Sequence, residues 1–237
     1  MILLDFDQAC QCLQQGKIII YPTETFYAAG GLALDAGASR AVFAAKSREG
    51  QKPLPVIVSS LTQLPLLTKY VSPAELKLIA QFWPGPLTIL FEVGDLTPDE
   101  LTCKTRKVAI RQTSHPIAAR LCEVCGPLSS SSANLSNNPA ARELSQIAEE
   151  LLKKSSGVLN LPPLPPGGEP STLVQILPLR PVGCKKISNP AAIGEEERQA
   201  EVAEAAKLEM EDACLRILRP GAVSRQALAK AGWTIAE

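Results

Sequence analysis

The chain has 237 residues, of which 46% are hydrophobic, enough for one large α/β core or for a core with an appendage. Its 24 basic and 24 acidic residues cancel, which excludes a polybasic footprint for stable nucleic-acid binding and leaves only weak, local RNA contact. No apolar run approaches the roughly 20 residues of a membrane span, and Asp5 and Asp7 interrupt the apolar start without a basic region before it, so we expect a cytoplasmic protein with no membrane contact.

Helical and strand-like patterns alternate along most of the chain. Helices are predicted at Phe6–Gln15, Asp35–Lys46, Leu61–Leu67, Ser72–Phe82, Pro116–Cys125 and Arg142–Lys153. Strands are predicted at Lys17–Tyr21, Pro55–Ser59, Leu87–Val93, Lys107–Arg111, Leu128–Ser132 and Ser171–Leu177. This alternation favours an α/β fold with a mostly parallel or mixed sheet between helices.

The composition changes after Ser155. Residues 161–170 read LPPLPPGGEP, with five prolines and two glycines, which predicts a loop over or beside a binding site. Arg180–Gly194 is expected to be irregular. Glu195–Asp212 carries eight acids and two bases among helix-forming residues, which predicts an exposed acidic helix. It is either only a solvated helix or a docking segment for a partner.

The seven cysteines and the one histidine do not indicate a disulfide scaffold or a metal site. Cys122 and Cys125 have a C-x-x-C spacing, but Ser114 and Pro116 mark a helix start that places both thiols at the C-terminal turn, where the helix dipole does not activate them. A nucleophile with a histidine base would depend on His115 alone. We therefore expect structural cysteines, no covalent catalysis and no metal ligands assigned to protein side chains.

Five polar clusters adjoin apolar runs that resemble buried strands. They are YPTET (Tyr21–Thr25), KSR (Lys46–Arg48), VAIR ending at Arg111, SSAN (Ser131–Asn134) and ILRPG around Arg219. Fixed cations and short hydroxyl or amide side chains at strand ends are typical of one cleft for an anionic ligand. Together the clusters predict a site for a nucleotide-like molecule.

The order of these clusters resembles that of the YrdC/Sua5 family of L-threonylcarbamoyladenylate synthases. The resemblance runs from about Gly16 to Gly221 and includes FWPGPLT, which contains the Trp83–Pro86 turn. It implies a single YrdC-like domain over residues 1–237, with an acidic helical insertion at 195–212. The implied fold is a twisted, mixed, mainly parallel sheet flanked by helices, with a large concave ligand cavity.

The implied reaction condenses ATP, with Mg²⁺, L-threonine and bicarbonate to threonylcarbamoyl-AMP and pyrophosphate for t6A modification of tRNA. The product would pass to a tRNA threonylcarbamoyl transferase complex. By resemblance, the phosphate and ribose subsite is formed by Lys46, Arg48, Ser132, Asn134 and Arg219, of which Lys46 and Arg48 are catalytic. The threonine subsite is formed by Thr23, Thr25 and Arg111, with Tyr27 and Ser171 as additional candidates.

Alternatives remain for individual residues and for the whole protein. Arg111 is either a ligand of carboxylate or phosphate or a member of a buried ion pair. The Gly30-Gly31 pair and Glu49 depart from the family pattern, so a nucleotide- or RNA-binding module without synthase activity is the alternative function. A third reading, a carbamoyl-adenylating domain like those of hydrogenase-maturation proteins, lacks its usual zinc-finger and acylphosphatase modules here.

Overall fold

The structure is a computed structural model that describes residues 1–46, 53–135, 138–178 and 213–236. Arg48 and Glu49 lie outside the described residues, as do the segments predicted to be irregular, Arg180–Gly194, and acidic and helical, Glu195–Asp212. The single-domain boundary, the acidic insertion and the role of Arg48 therefore stay predictions.

Five of the seven α-helices of the described residues begin at a side chain that caps the first turn. The seven helices are α1 (Phe6–Gln14), α2 (Ala36–Ala45), α3 (Pro73–Phe82), α4 (Asp99–Thr102), α5 (Pro116–Cys125), α6 (Glu149–Lys154) and α7 (Arg225–Lys230). Ser72 and Glu75 form a reciprocal capping box before α3, and His115 caps α5 by accepting from the Ala118 N–H. These caps satisfy backbone N–H groups that have no partner within the helix.

The strands are short and form two sheets. They are β1 (Leu3–Leu4), β2 (Ile19–Pro22), β3 (Tyr27–Gly30), β4 (Val56–Val58), β5 (Leu87–Glu92), β6 (Lys107–Gln112), β7 (Leu128–Ser129), β8 (Ser131–Ser132), β9 (Val158–Leu159), β10 (Thr172–Pro178), β11 (Ala213–Arg219) and β12 (Thr234–Ile235). One sheet has the order β1-β9-β2-β3-β8, and the other has the order β12-β11-β10-β5-β6-β4-β7.

The predicted mixed α/β class is confirmed, but parallel pairs do not predominate. Among the described strands, five pairs are parallel and five are antiparallel. One cause is the short turn between β2 and β3, which can join only antiparallel neighbours, since a parallel pair needs a longer crossover.

Several local predictions need correction. The segment Leu61–Leu66 is a 3₁₀ helix that contains Pro65, which has no N–H to donate. The helix predicted at Arg142–Lys153 begins only at Glu149, after a 3₁₀ turn at Leu144–Gln146. The sequence patterns also missed strand β3, which pairs with β2 directly before it and with the distant β8.

Strand β2 is buried on both faces. Ile20 belongs to the larger hydrophobic cluster, which includes Val56 and Phe91. Its neighbours Ile19 and Tyr21 point the other way, into a second cluster. A strand covered on both sides explains the run of consecutive isoleucines that precedes Tyr21. In the parts of the chain that the structure describes, no helix is long and apolar enough to cross a membrane.

The segment from Leu128 to Ser132 joins the two sheets. Its first half, β7, pairs with β4, and its second half, β8, pairs with β3. Where it passes Gly30, a Cβ on that glycine would lie 1.7 Å from the Ser129 carbonyl oxygen. Only glycine permits this close approach. Gly30, which departs from the family's sequence pattern, therefore fits within a regular strand.

Candidate functional site

The turn between β2 and β3 carries the two threonines of the YPTET motif. The Thr23 hydroxyl donates to the Phe26 carbonyl over 2.7 Å and accepts the N–H groups of Thr25 and Phe26, both over 3.3 Å. The Thr25 hydroxyl lies 3.3 Å from that of Thr23, and both residues are buried. The Thr23 hydroxyl therefore closes the turn, and Thr25 is held beside it with a hydroxyl that makes no other protein hydrogen bond among the described residues.

Between these threonines, Glu24 binds two groups at the end of β6. Its Oε1 lies 3.0 Å from Nη1 of Arg111, and the two side chains are only 12% and 7% exposed. Its Oε2 accepts the Thr113 hydroxyl over 2.6 Å. Arg111 thus forms a buried ion pair that joins the threonine turn to the end of β6, and its role as a ligand of carboxylate or phosphate stays a prediction.

Lys46 lies at the C-terminal end of α2 and is buried. Its Nζ donates to the Ser132 carbonyl on β8. The Ser132 hydroxyl donates in turn to Oδ1 of Asn134, whose Nδ2 donates to the Asn138 carbonyl. Three residues predicted for the phosphate subsite are therefore in one hydrogen-bonded chain.

A cavity of about 400 Å³ adjoins these hydrogen-bonded residues. Its lining residues include Asn134, Asn138, Arg142 and Gln146. Apolar side chains, among them Leu135 and Pro139, share its wall with these polar groups. The large concave cavity implied by the resemblance stays a prediction.

Arg219 is fixed at the end of β11 by Ser171, directly before β10. Its Nε and Nη2 donate to the Ser171 carbonyl over 3.2 and 2.7 Å, and Nη2 also donates to the Ser171 hydroxyl over 2.9 Å. The Ser171 hydroxyl lies 2.8 Å from that of Thr88 on β5. Ser171 therefore orients Arg219, a role that its sequence position alone did not reveal.

Two guanidinium groups share this part of the site. Partial desolvation and then the charge of Arg111 lower the pKa of Arg219, although much of Arg219 remains in contact with solvent. Strands β5 and β6 are antiparallel, and Ile89 pairs with Ile110. Thr88 precedes Ile89 and Arg111 follows Ile110, so Thr88 and Arg111 lie opposite each other. The strand order β6-β5-β10-β11 thus sets Arg111, Thr88, Ser171 and Arg219 in a row that favours anions.

The proline-rich segment lies beside the threonine turn, as predicted. The Gly167 N–H donates to the Thr25 carbonyl over 2.9 Å, and His115 Nε2 lies 2.8 Å from the Pro163 carbonyl. Because His115 Nδ1 accepts the Ala118 N–H, the neutral ring carries its proton on Nε2 and donates it to Pro163. Burial lowers the pKa of His115, which favours this neutral form.

Tyr27 and Cys122 have structural partners. The Tyr27 hydroxyl donates to Oδ1 of Asn160, and burial raises the pKa of Tyr27. The Cys122 thiol donates to the Ile57 carbonyl, and burial raises its pKa, which disfavours a reactive thiolate. Within the described ranges, no group of three His, Cys, Asp or Glu residues could hold a metal ion.

Among the described residues, several of the predicted site residues lie close together, and their roles stay predictions. Thr23, Thr25 and Arg111 meet through Glu24. The threonine turn continues into β3, where Ala28 pairs with Ser132 of the Lys46 chain. Glu24 and Thr113 were missed, although an acid between two threonines in a buried-strand motif was a usable signal. Thr88 and Asn160 gave no signal, because their partners are 83 and 133 residues away in the chain.

This arrangement defines an α/β protein with a cation-rich site at the junction of two mixed sheets. A model of the Sua5/YciO/YrdC family, described as "Telomere recombination", matches residues 11–183. The chain therefore belongs to the Sua5/YciO/YrdC family, as the resemblance of its motifs implied.

Over the aligned segments, curated relatives are about a third identical to this chain. A protein named threonylcarbamoyl-AMP synthase from Pyrococcus abyssi is 35% identical over 150 residues, which are 62% of this chain and 44% of the relative. One of that name from Bacillus subtilis is 32% identical over 194 residues, 79% of this chain and 56% of the relative. The chain thus spans about half the length of these two relatives.

Solved structures agree with the family assignment. P. abyssi Sua5 complexed with L-threonine has a TM-score of 0.77 and 25% sequence identity, covering 100% of this chain and 63% of that one. E. coli YciO has a TM-score of 0.64 and 23% identity, covering 77% of this chain and 87% of that one. The likeness to YciO shows the shared fold.

Proposed function

We propose that this protein is an L-threonylcarbamoyladenylate synthase. It would condense ATP, L-threonine and bicarbonate to threonylcarbamoyl-AMP and pyrophosphate for t6A modification of tRNA, and pass the product to a tRNA threonylcarbamoyl transferase complex. The observation that carries the proposal is the buried Arg111, held next to the threonine turn in a chain similar over its whole length to a Sua5 solved with L-threonine.

Arg111, Thr23 and Thr25 form the proposed threonine subsite. The guanidinium of Arg111 suits the α-carboxylate, because its planar fork can donate two parallel hydrogen bonds. The Thr25 hydroxyl is the stronger reader of the substrate hydroxyl, since the Thr23 hydroxyl already donates to Phe26. Thr23 then acts mainly by fixing the turn that presents Thr25.

Lys46, Arg48, Ser132, Asn134 and Arg219 form the proposed nucleotide subsite. Lys46 follows α2 and contacts β8 of one sheet, whereas Arg219 ends β11 of the other, so they can neutralise separate parts of a phosphate chain. Ser171 holds the Arg219 guanidinium in place, and Tyr27 supports β3 through Asn160. Mg²⁺ would enter with ATP, bound through the phosphate oxygens.

The chemistry requires positioning and charge neutralisation rather than a protein nucleophile. The threonine amine adds to carbon dioxide with loss of a proton, or to bicarbonate with loss of water, and becomes a carbamate. A carbamate oxygen then attacks the α-phosphorus, and pyrophosphate leaves with the electron pair of the broken P–O bond. Fixed cations next to the developing phosphate charge lower this barrier without reorganising.

A pyrophosphate-release assay with ATP, bicarbonate and individual amino acids tests the proposal. We expect L-threonine to be used best, L-serine weakly, and L-valine and L-2-aminobutyrate hardly at all. A site built to hydrogen-bond a hydroxyl rejects analogues without it far more strongly than it rejects a lost methyl group. Equal release with threonine and valine would overturn the proposal.

The alternative is a nucleotide- or RNA-binding module of the same family without synthase activity. Two departures from the family pattern, the Gly30-Gly31 pair and Glu49, were the arguments for this alternative. The first argument is weakened, because Gly30 lies in a regular strand at a position that admits no Cβ. Tight ATP binding without threonine-dependent pyrophosphate release would favour this alternative. Gel-shift titration with unmodified tRNA checks the weak, local RNA contact separately.

A further inference from the structure

Glu24 has an acceptor that pairs with Arg111 but receives no hydrogen bond from the described protein. Oε1 is fully buried and receives no hydrogen bond from the described residues. It lies 3.0 Å from Nη1 of Arg111, close enough for charge attraction, but the N–H direction does not make this contact a hydrogen bond. Such a buried oxygen loses its hydration without full compensation, unless a ligand supplies a donor.

Arg111 complements this acceptor with spare donors. A guanidinium carries five N–H groups, and the one described partner of this guanidinium is Glu24. The Arg111 side chain is only 7% exposed, so its other donors face a largely enclosed space. An unmet acceptor and unmet donors therefore lie side by side.

The geometry points to Glu24 as the reader of the substrate's α-amino group, an inference that rests on the proposed function. An α-amino acid carries an N–H donor group and a carboxylate on one carbon. Arg111 would bind the carboxylate, and Glu24 Oε1, once a small shift of the side chain exposes it, would accept a hydrogen bond from the amino nitrogen. The contact sets a preference for molecules with both groups and holds the nitrogen where it reacts.

Thr113 makes this assignment geometrically specific. Its hydroxyl donates to Oε2 of Glu24 over 2.6 Å, and its N–H donates to the Val58 carbonyl over 3.1 Å. One carboxylate oxygen is thus fixed to the backbone of β4, which leaves Oε1 turned toward Arg111. Glutamine at position 24 keeps the size of the side chain but replaces one of the acceptor oxygens with an NH₂ donor.

Direct binding measurements test the inference with three ligands. They are L-threonine, its analogue with a hydroxyl in place of the α-amino group (2,3-dihydroxybutanoate of the same configuration), and L-threonine amide, which lacks the carboxylate. Calorimetric titration of the full chain should show the wild type preferring L-threonine to the dihydroxy analogue by about tenfold to a hundredfold, the usual effect of a hydrogen bond to a charged group. A wild-type preference below about threefold, or no binding of any of the three, overturns the inference.

The variant Glu24→Gln should lose most of the preference for the amino group. Its affinity for L-threonine should fall by about tenfold or more, while its affinity for the dihydroxy analogue changes by less than about threefold. Glu123→Gln is the matched control, because Glu123 forms an exposed ion pair with Arg120 at 2.7 Å on the surface of α5. If Glu24→Gln keeps the full wild-type preference, Glu24 does not read the amino group.

Two further readouts keep the test decisive. If Glu24→Gln does not fold, Thr113→Val removes only the second support of the carboxylate, and it should weaken L-threonine more than the dihydroxy analogue. Equal losses for both ligands would mean a purely structural role. Pyrophosphate release by the wild type separates the two proposals. If the protein discriminates the amino group but releases no pyrophosphate, the role of Glu24 stands and the proposed synthase function fails. If it releases pyrophosphate but does not discriminate the amino group, the synthase function stands and the role of Glu24 fails.

Discussion

Replacing Lys46 by methionine tests the nucleotide subsite most directly. Methionine keeps much of the length and apolar volume of the lysine stem but removes the ammonium that reaches the Ser132 carbonyl. Loss of one preorganised charge donor at a developing phosphate oxygen costs about 3 kcal/mol, which corresponds to about a hundredfold in rate. We expect kcat/KM for pyrophosphate release to fall by about that factor.

The effect on stability should be much smaller than the effect on catalysis. The substitution leaves the Ser132 carbonyl without this donor, which costs about 1–3 kcal/mol, but it also removes the cost of a buried charge. For a chain of this size, 1 kcal/mol shifts the midpoint of thermal unfolding by about 2–4 °C. A shift of a few degrees together with a hundredfold loss of activity would separate chemistry from folding.

Lys154→Met is the matched control. Lys154 donates to the Ala44 carbonyl near the same end of α2, over 3.1 Å, and pairs with Glu150 at 2.7 Å, but its side chain is 41% exposed. Exposed pairs of this kind contribute little, so pyrophosphate release and stability should stay near those of the wild type. Near-wild-type turnover in Lys46→Met, or equal losses in both variants, would refute the assignment of Lys46 to the phosphate subsite.

Three other outcomes follow from the described contacts. Because burial lowers the pKa of His115, protons bind the unfolded chain preferentially below pH about 6.5, so the free energy of unfolding of the wild type should fall between pH 7.5 and 5.5. His115→Asn retains a capping side chain and should reduce that fall, as measured by urea unfolding. An unchanged dependence of stability on pH would contradict the reasoning. Gly30→Ala should unfold the protein or lower its free energy of unfolding by more than about 3 kcal/mol, because the new Cβ would lie 1.7 Å from the Ser129 carbonyl oxygen. Gly232→Ala, at φ +90° with no atom within 4 Å of the new Cβ, should lower it by about 1 kcal/mol in the same assay. Arg219→Lys should raise the KM for ATP with little change in the KM for threonine. The reason is that lysine cannot donate to both the Ser171 carbonyl and the Ser171 hydroxyl as the arginine does. Equal changes in both constants would count against a nucleotide-binding role for Arg219.

The sequence predicted elements whose signals are local. Helix α5 has the predicted bounds Pro116–Cys125, because a proline at its first turn and Gly126 after its end mark both limits. Strand β3 was missed, since Ala28 and Ala29 have weak strand propensity, and the strand forms only by pairing with β2 and β8.

The same distinction applies to the candidate site. Thr25 and Arg111 were selected from their motifs, because Thr25 follows an apolar strand and Arg111 ends the predicted strand Lys107–Arg111. The Glu24–Arg111 contact joins residues far apart in the chain, and no local pattern specifies it. The Arg219–Ser171 contact depends on the register of β10 against β11, which pair across residues 179–212. Such contacts result from tertiary pairing, so sequence periodicity alone does not reveal them.

The segment from Leu128 to Ser132, which changes sheets within a few residues, has a consequence for refolding. The threonine turn and Ser132 belong to one sheet, and Arg111 and Arg219 belong to the other. Either sheet can acquire its hydrogen bonds before the two are joined, but the site exists only after Gly30 has closed against Ser129. Contacts between residues so distant in sequence form late. Recovery of ligand binding should therefore lag behind recovery of helix and strand content when the chain refolds from urea.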